Sequence, residues 1–308
     1  MGIESTGGSL RLLFSQWQGG GNKPVYVMGS QLLNWLAPES SMPVETVPVD
    51  LSANGLEVQA GIFARETVLT QARAARGILN RRRPDRLAIL GGDCSVDFAP
   101  FAYLNERFRD DIAFIWLDAH PDLVVPDGIH PNFHAMILSA LLGYGDPEFL
   151  DEVPVKISPN RVLFAGLRAE TEFKTALETE HGFTIEVVTV DQIRQSSTPV
   201  LDWLAQSGCH HVAIHFDLDV LDTTQFCSTA GPEPGGLFAE EIVRLLTDIS
   251  NRFNVVGLGI TEYMPREALL LAEMLRTLPI IGEPQGTGGS EPPTCRSFND
   301  LLTEARPD

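Results

Sequence analysis

Side chains capable of acid–base or metal chemistry follow four apolar segments of this chain, each at the point where the segment ends. The four junctions are Leu87-Ala88-Ile89-Leu90 before Gly91-Gly92-Asp93-Cys94-Ser95, Phe114-Ile115-Trp116-Leu117 before Asp118-Ala119-His120-Pro121-Asp122, Val212-Ala213-Ile214-His215-Phe216 before Asp217-Leu218-Asp219-Val220-Leu221-Asp222, and Val255-Val256-Gly257-Leu258-Gly259-Ile260 before Thr261-Glu262. In α/β proteins the carboxyl ends of parallel strands lie together, and ligands bind there. We therefore expect the following residues to form one cluster: Cys94, Asp118, His120, Asp122, Asp217, Asp219 and Glu262.

Such a cluster predicts bound cations. Five or more carboxylates in one place cannot all stay ionised without compensating positive charge. Alternation along an extended chain turns Asp118, His120 and Asp122 to one side, and the same alternation applies within residues 215–219. Ligands that are mostly carboxylates, with one or two imidazoles, favour Mn²⁺ or Mg²⁺. Two acidic segments suggest two ions, which together can convert a water into a hydroxide that attacks a trigonal carbon.

Each acidic pair taken alone has a simpler explanation. An Asp that follows a strand is often the cap of the next helix and nothing more. Four such junctions in one chain favour a shared cation site over four unrelated caps.

The elements that would position these residues alternate between short apolar strands and amphipathic helices, a pattern typical of a parallel sheet covered by helices. The sequence predicts strands near residues 9–14, 44–49, 86–90, 112–117, 161–165, 184–188, 211–217 and 254–260. It predicts helices over residues 63–82, 96–108, 133–142, 170–180, 239–252 and 266–277. Both an open doubly wound sheet and a closed eight-stranded barrel fit this alternation, and both bind ligands beyond the carboxyl ends of the strands.

The pattern indicates a single catalytic domain over residues 1–281. No internal repeat interrupts it. From Gly282 onward the chain is rich in Gly and Pro, so we expect residues 282–308 to form a mobile C-terminal tail.

Composition restricts the partners of the protein. The chain has 308 residues with a formal net charge of −19, which disfavours nucleic acid as a partner because phosphate backbones need a basic surface. Cationic small molecules suit such a surface. The sequence contains neither a secretory signal nor about 18 uninterrupted apolar residues, so we expect no membrane partner. Four scattered cysteines without a paired spacing indicate a reducing compartment, and we expect a cytoplasmic protein.

With these residues in place, the sequence resembles the ureohydrolase family of arginase, agmatinase, guanidinobutyrase and formiminoglutamase over nearly all of the chain before the tail. The motifs that carry the resemblance are Gly91-Gly92-Asp93-Cys94-Ser95, Asp118-Ala119-His120-Pro121-Asp122, Asn132-Phe133-His134-Ala135-Met136, Phe216-Asp217-Leu218-Asp219-Val220-Leu221-Asp222, Gly235-Gly236-Leu237 and Thr261-Glu262-Tyr263-Met264-Pro265. The resemblance implies an α/β fold, a three-layer α/β/α sandwich with a mainly parallel eight-stranded sheet. It thereby favours the open sheet over the barrel.

The resemblance also implies a binuclear manganese centre, with two Mn²⁺ ions per chain and a metal-bridging hydroxide that attacks a guanidinium carbon. The implied metal ligands are Cys94, Asp118, His120, Asp122, Asp217 and Asp219. Of these, Asp118 and Asp217 would bridge the ions, and Cys94 stands where the family ordinarily has a histidine.

The same resemblance implies the catalytic and substrate-binding residues. Asp219 would hydrogen-bond the hydroxide, and Glu262 would hold the guanidinium, a cation that a buried carboxylate can bind through paired N–H groups. His134 would carry a proton to the leaving amine. His130, four residues earlier, is the alternative shuttle. We interpret His215 as the support of a ligand acid and not as a ligand.

Two departures from the family bear on the reaction. A Cys94 thiolate is a soft ligand for a hard ion, so Cys94 is either a genuine ligand, part of a site rebuilt around one ion, or the sign of an inactive protein. The retained Glu262 and His134 favour activity. The polar residues with which arginases hold the α-amino acid end of arginine are missing after Asp122, and the amine-binding acid corresponds to Thr171, with Glu170 and Glu172 only nearby.

The sequence thus predicts a metal-dependent hydrolase acting on C–N bonds of linear amidines. The expected substrate is a small cationic guanidino compound, arginine or N-hydroxyarginine ahead of agmatine-like amines, and the products are urea or a urea analogue and an amine. The alternatives are an agmatine or guanidino-acid hydrolase, a formimino-compound hydrolase, and a non-catalytic metal-stabilised binding protein. The family further implies a homo-oligomer.

Overall fold

The computed structural model describes residues 8–52, 54–227 and 229–281. Within them the strands are Ser9–Phe14 (β1), Val44–Thr46 (β2), Val58–Gln59 (β3), Ile62–Phe63 (β4), Arg86–Gly91 (β5), Ile112–Leu117 (β6), Val162–Ala165 (β7), Glu186–Val188 (β8), His211–Asp217 (β9) and Asn254–Thr261 (β10). The expected tail over residues 282–308 lies outside the described residues.

Eight of these strands form one sheet in the order β2-β1-β5-β10-β9-β6-β7-β8, and every pairing within it is parallel. All eight strands predicted from the sequence are present within a few residues of their expected bounds. β3 and β4 form a separate antiparallel pair. The sheet has edges at β2 and β8, so the open arrangement is confirmed and the closed barrel is wrong.

Helices cover both faces of the sheet. They are Val25–Leu36 (α1), Arg65–Arg82 (α2), Phe98–Phe108 (α3), Ile137–Leu142 (α4), Pro147–Asp151 (α5), Thr171–His181 (α6), Val190–Gln195 (α7), Thr198–Ser207 (α8), Ala239–Ser250 (α9) and Ala268–Leu275 (α10). The segment predicted as one helix over residues 133–142 begins as a 3₁₀ turn, Phe133–Met136, before α4. Among the described residues, we find no helix with the length and apolar composition that crossing a bilayer requires.

The sheet separates two apolar cores, which explains why its central strands are apolar at every position. On β6, Ile112, Phe114 and Trp116 belong to the core that contains residues of α2, α3 and α4. The alternate residues Ala113, Ile115 and Leu117 belong to the core that contains residues of α8, α9 and α10. The three-layer α/β/α sandwich is therefore confirmed.

The four strands that end in the reactive residues are neighbours at the centre of the sheet. They lie in the order β5, β10, β9 and β6, which lead respectively to Cys94, Glu262, Asp217 and Asp118. Because all four run parallel, their carboxyl ends meet at one edge, and the fold alone places these four residues side by side.

Candidate metal centre and active site

The carboxyl ends of the four central strands form a buried cluster of metal-binding side chains. Asp118, Asp122, Asp217 and Asp219 are each at most 5% exposed, and Cys94 is 2% exposed. Among the described residues, three sets of side chains have ligand atoms within 4.8 Å of one another. They are Cys94 with Asp118, His215 and Asp217, Asp118 with His120 and Asp219, and Cys94 with His134 and Glu262.

The segment after β6 positions His120. The backbone N–H of His120 donates to Asp118 Oδ1 over 2.7 Å, and its ring Nδ1 lies 2.8 Å from Asp219 Oδ2. Burial alone would lower the pKa of His120, but hydrogen bonds and charge from Asp118 and Asp219 outweigh burial and raise that pKa to about 12. His120 thus lies between two carboxylates, and all three side chains can bind a divalent ion.

The segment after β9 is held by its own carboxylates. Asp217 Oδ1 accepts from the Asp219 backbone N–H over 2.8 Å, and Asp219 Oδ1 accepts from the Ala119 backbone N–H over 3.2 Å. Burial and the charge of Asp118 raise the pKa of Asp219 to about 6. Burial and the charges of Asp219 and Asp118 likewise raise the pKa of Asp217. Both pKa shifts are the expected result of burying several carboxylates close together.

Cys94 begins a 3₁₀ turn, Cys94–Asp97, directly beyond β5. Its Sγ lies 2.9 Å from Asp217 Oδ2 and 3.4 Å from Glu262 Oε1. Burial, followed by the charges of Asp217 and other nearby acids, raises the pKa of the Cys94 thiol well above its ordinary value. The Cys94 thiol donates to the Asp217 carboxylate.

Three buried atoms in the cluster have no hydrogen-bond partner among the described residues. They are Asp118 Oδ2, Asp122 Oδ2 and His215 Nε2. Buried polar atoms nearly always have a hydrogen-bond partner. Within the described ranges these three atoms do not, and each of them can bind a metal ion, so together they fit a cation site.

Glu262 follows β10 in a left-handed conformation with φ of +64°, which turns its carboxylate back toward the cluster. Glu262 Oε1 accepts from the Cys94 backbone N–H over 3.1 Å and lies 3.1 Å from His134 Nδ1. The Tyr26 hydroxyl donates to Glu262 Oε2. Burial raises the pKa of Glu262 to about 8, and burial lowers the pKa of His134 to about 3, where the charge of Lys23 also contributes.

A cavity of about 280 Å³ opens from the cluster of metal-binding side chains. This volume suits a small ligand. Its lining includes most of the expected site residues: Cys94, His120, Asp122, Asp217, Asp219, His134 and Glu262. Its remaining polar lining residues are Lys23, His130, Asn132 and Glu170.

The two histidines expected to compete for the proton-transfer role lie at different depths. His134 contacts Glu262 inside the cavity. His130 is exposed, and its Nδ1 lies 3.2 Å from Asp127 Oδ2, which is not one of the metal-binding side chains. The structure thus brings together all of the expected site residues except His130, which lies at the mouth.

Sequence reasoning missed Tyr26 and Lys23 at this site, and it named Glu170 only as a neighbour of Thr171, the expected amine-binding position. Tyr26 reaches Glu262 from α1, 236 positions away along the chain, and no local pattern indicates that contact. Lys23 lines the cavity from the loop before α1. Glu170 lines the cavity because its φ of +49° turns the chain just before α6. Thr171 and Glu172 line a separate surface depression instead.

Comparison with known proteins assigns the chain to a class. A model of the arginase family matches residues 38–269, more than half of the sequence. The chain therefore belongs to the arginase family, whose members are hydrolases that act on guanidino C–N bonds.

Individual relatives agree with this assignment. The chain is 24% identical over 185 residues to an arginase of Entamoeba histolytica, covering 58% of this chain and 61% of that protein. It is 29% identical over 217 residues to an arginase of Coccidioides posadasii, covering 66% of this chain and 67% of that protein. The match thus spans about three fifths to two thirds of these relatives.

A solved arginase structure shares the fold of this chain. The solved structure of Entamoeba histolytica arginase in complex with L-ornithine superposes with a TM-score of 0.76 at 18% identity, covering 87% of this chain and 95% of that one. At that identity the likeness establishes the shared fold.

Proposed function

We propose that this protein is a metal-dependent hydrolase of a guanidino amino acid, arginine or N-hydroxyarginine, which releases urea or a urea analogue and an amine. One observation carries the proposal: the metal-binding cluster, the Glu262 carboxylate and the His134 imidazole share a single cavity. Family membership supports the reaction class, and the cavity residues support the choice of substrate.

The cluster fits two divalent ions. Asp118 and Asp217 would serve both, His120 and Asp219 would complete one site, and Asp122 and Cys94 the other. Mn²⁺ suits the site that His120 and Asp219 complete, because the ligands of that site are carboxylate oxygens and one imidazole. When bound, the ions would lower the pKa of a water so that it attacks the guanidinium carbon near neutral pH.

The protein's own residues would position the substrate and move the proton. Glu262, set deep in the cavity, would accept N–H groups of the guanidinium, whose charge persists at any ordinary pH. Asp219 would accept a hydrogen bond from the attacking water and hold it in line. His134 contacts Glu262 and is neutral near pH 7, because burial lowers its pKa. It would take up the proton that the attacking water releases and pass it to the leaving nitrogen.

The polar residues that line the cavity beside the metal-binding side chains support a substrate with an α-amino acid end. Glu170 offers a carboxylate for the ammonium group, whereas Lys23 and Asn132 offer donors for the carboxylate. Agmatine lacks the carboxylate and a guanidino acid lacks the ammonium group, so each would leave one of these side chains without a partner. This pairing favours arginine-like substrates over both alternatives.

We also propose a cellular location, a domain organisation and an oligomeric state for the protein. Cys94, Cys209 and Cys227 are free, which supports a cytoplasmic location. We further propose that residues 1–281 form one catalytic domain followed by a tail, and that the enzyme is a homo-oligomer whose partners are small molecules.

A panel of guanidino and amidino compounds, assayed with added Mn²⁺, tests the function. We expect urea or hydroxyurea from arginine or N-hydroxyarginine, and weaker turnover of agmatine and guanidino acids. Formamide released from a formimino compound would replace the proposal by that alternative. No product from any member would exclude it.

Asp122→Ala tests the role of the cluster. We expect turnover to fall about 10³-fold or more, because the stabilisation supplied by a metal ion is worth several kcal/mol, while the variant stays folded by circular dichroism. Asp202→Ala, an exposed Asp on α8, is the matched control and should retain activity. If Asp122→Ala lowers thermal stability without affecting turnover, the cluster has a structural role only.

A further inference from the structure

His215 is the one imidazole of the cluster to which the proposed mechanism gives no task. It is completely buried on β9, and its side chain lies on the same side of the strand as Asp217. A histidine at this depth, among acids, needs a reason to be there, because burying a polar ring without full hydrogen bonding costs free energy.

The ring of His215 is held in one orientation by two contacts. Its Nδ1 lies 2.8 Å from Asp97 Oδ2, and its face stacks on Trp116 with 4.2 Å between ring centroids. Gly259, the neighbour of His215 in the β9–β10 register, makes room for the Asp97 carboxylate. A Cβ at Gly259 would lie 1.9 Å from Asp97 Oδ2.

That orientation directs Nε2 toward the cluster of metal-binding side chains. His215 Nε2 lies 3.5 Å from Asp118 Oδ2 and 3.8 Å from Asp122 Oδ2. Neither distance is a hydrogen bond by geometry, and all three atoms lack a hydrogen-bond partner among the described residues. A histidine that only braced Asp118 would donate to it at ordinary length. Instead, Nε2 and the two carboxylate oxygens face one another at distances longer than a hydrogen bond, and each of the three atoms can bind a metal ion.

The partner of Nδ1 is the one a metal-binding histidine usually has. Histidine ligands commonly donate one ring N–H to a carboxylate, which fixes the tautomer and leaves the other nitrogen free to bind the ion. Asp97 is placed to accept that hydrogen bond, and Nε2 then carries the free lone pair.

We infer that His215 Nε2 is a ligand of the ion bound by Cys94, Asp118 and Asp217, and that this sulfur, nitrogen and oxygen site prefers a borderline ion such as Zn²⁺ over Mn²⁺. The four side chains already place their ligand atoms within 4.8 Å of one another. Thiolate and imidazole are softer ligands than carboxylate and shift preference in this direction. The inference rests on the proposed binuclear hydrolase and makes its two metal sites chemically different.

X-ray absorption at the zinc edge tests the inference directly, because it reports the sulfur and imidazole ligands of the bound ion. We expect the metal-free protein loaded with one equivalent of Zn²⁺ to show one sulfur and one imidazole per zinc. His215→Gln should keep the sulfur and lose the imidazole. His211→Gln, the same change at the start of β9, is the matched control and should match the wild type.

Two other histidines near the cluster could supply an imidazole, so the assignment needs their variants. His134 approaches Cys94 and Glu262, and His120 approaches Asp118 and Asp219. The imidazole signal should persist in both His134→Gln and His120→Gln. These two variants assign the ligand by elimination even where His215→Gln fails to fold.

Affinity gives a second readout. In competition with a chelator, His215→Gln should weaken the first Zn²⁺ by more than about 100-fold, beyond the 10–100-fold effect typical of losing a supporting contact. The affinity of the wild type for its first Zn²⁺ should also exceed its affinity for Mn²⁺ at that site.

Several results would overturn the inference. They are zinc bound without sulfur, zinc bound with sulfur but no imidazole, loss of the imidazole in His134→Gln or His120→Gln, and equal binding of Zn²⁺ by the wild type and His215→Gln. Turnover of guanidino substrates with Mn²⁺ is measured separately. If that turnover is present while any of these results is obtained, the proposed function stands and the assignment of His215 falls.

Discussion

Glu262 shows how much of this site depends on the immediate surroundings of one side chain. Its carboxylate contacts the Tyr26 hydroxyl, His134 Nδ1 and the Cys94 backbone N–H. Burial nonetheless raises the pKa of Glu262 to about 8, so the isolated carboxyl holds a proton near neutral pH. A permanently charged guanidinium would supply the missing positive charge and favour the ionised form.

The Tyr26 hydroxyl is expected to hold the Glu262 carboxylate in its binding orientation. Tyr26→Phe should raise KM for the guanidino substrate about 10-fold or more with a smaller change in kcat, because a hydrogen bond to a charged group is worth about 1.5–3 kcal/mol. Steady-state kinetics measure this directly. Tyr103→Phe removes a hydroxyl that donates to the Pro84 carbonyl instead, and its KM should equal that of the wild type. An unchanged KM in Tyr26→Phe would contradict the assigned contact.

At the scale of elements, α1 brings Tyr26 to the site only because the helix approaches the end of β10 very closely. A Cβ at Gly29 of α1 would lie 1.9 Å from the carbonyl oxygen of Tyr263. That carbonyl belongs to the residue after Glu262. The absence of a side chain at one helical position therefore sets the distance between Tyr26 and the carboxylate that it contacts.

Two glycine-to-alanine changes in helices should have opposite effects. Gly29→Ala should lower the free energy of unfolding by about 1–3 kcal/mol, because backbone must move to admit the methyl group. A Cβ at Gly77 in α2 would meet nothing within 4 Å. Gly77→Ala should therefore raise the free energy of unfolding by about 0.5–1 kcal/mol, because alanine has the higher helix propensity. Urea unfolding of both variants gives the comparison. Equal stability of Gly29→Ala and the wild type would mean that α1 is not tightly packed there.

At the scale of the whole molecule, one buried ion pair joins distant parts of the chain. Arg65, the first residue of α2, donates from Nε to Asp146 Oδ2 over 2.9 Å and from Nη2 to Asp146 Oδ1 over 2.7 Å. Asp146 also caps α5 through the backbone N–H groups of Glu148 and Phe149. Burial alone would raise the pKa of Asp146, but hydrogen bonds and charge from Arg65 outweigh burial and hold that pKa below its usual range.

The lowered pKa of Asp146 predicts the sign of a pH effect on stability. Its contribution is present above the unfolded pKa of about 4 and is lost as the pH falls through the lower folded value. Asp146→Asn should therefore reduce the free energy of unfolding by about 1.5–3 kcal/mol at neutral pH, since the buried Arg65 then keeps only its ion pairs with the more exposed Glu66 and Glu148. The difference from the wild type should shrink below about pH 4. Denaturant unfolding at several pH values measures both effects.

The control for this prediction is an aspartate in an exposed ion pair. Asp110 lies 2.8 Å from Arg161, with its own side chain 94% exposed, so Asp110→Asn should change stability little at any pH. A constant difference between Asp146→Asn and the wild type from neutral to acid pH would show that the charge of Asp146 does not matter.

Local sequence signals fixed the strands and the reactive residues at their ends. Runs such as Ile112-Ala113-Phe114-Ile115-Trp116-Leu117 are apolar at every position, which indicates burial on both faces and thus a central strand. The cluster followed because parallel strands end at one edge. Short helices gave weaker signals: α7 spans six residues, and its clearest indication is the capping box between Thr189 and Gln192.

The residues at the ends of buried strands can be identified from local sequence, because alternation and burial are properties of neighbouring positions. The contacts that give those residues their chemistry form only when the whole chain folds. Tyr26 meets Glu262, Asp97 orients His215 across 118 positions, and Glu170 instead of Thr171 lines the cavity. Strand order, helix approach and the direction of each buried ring result from packing over the whole chain, and no local pattern encodes them.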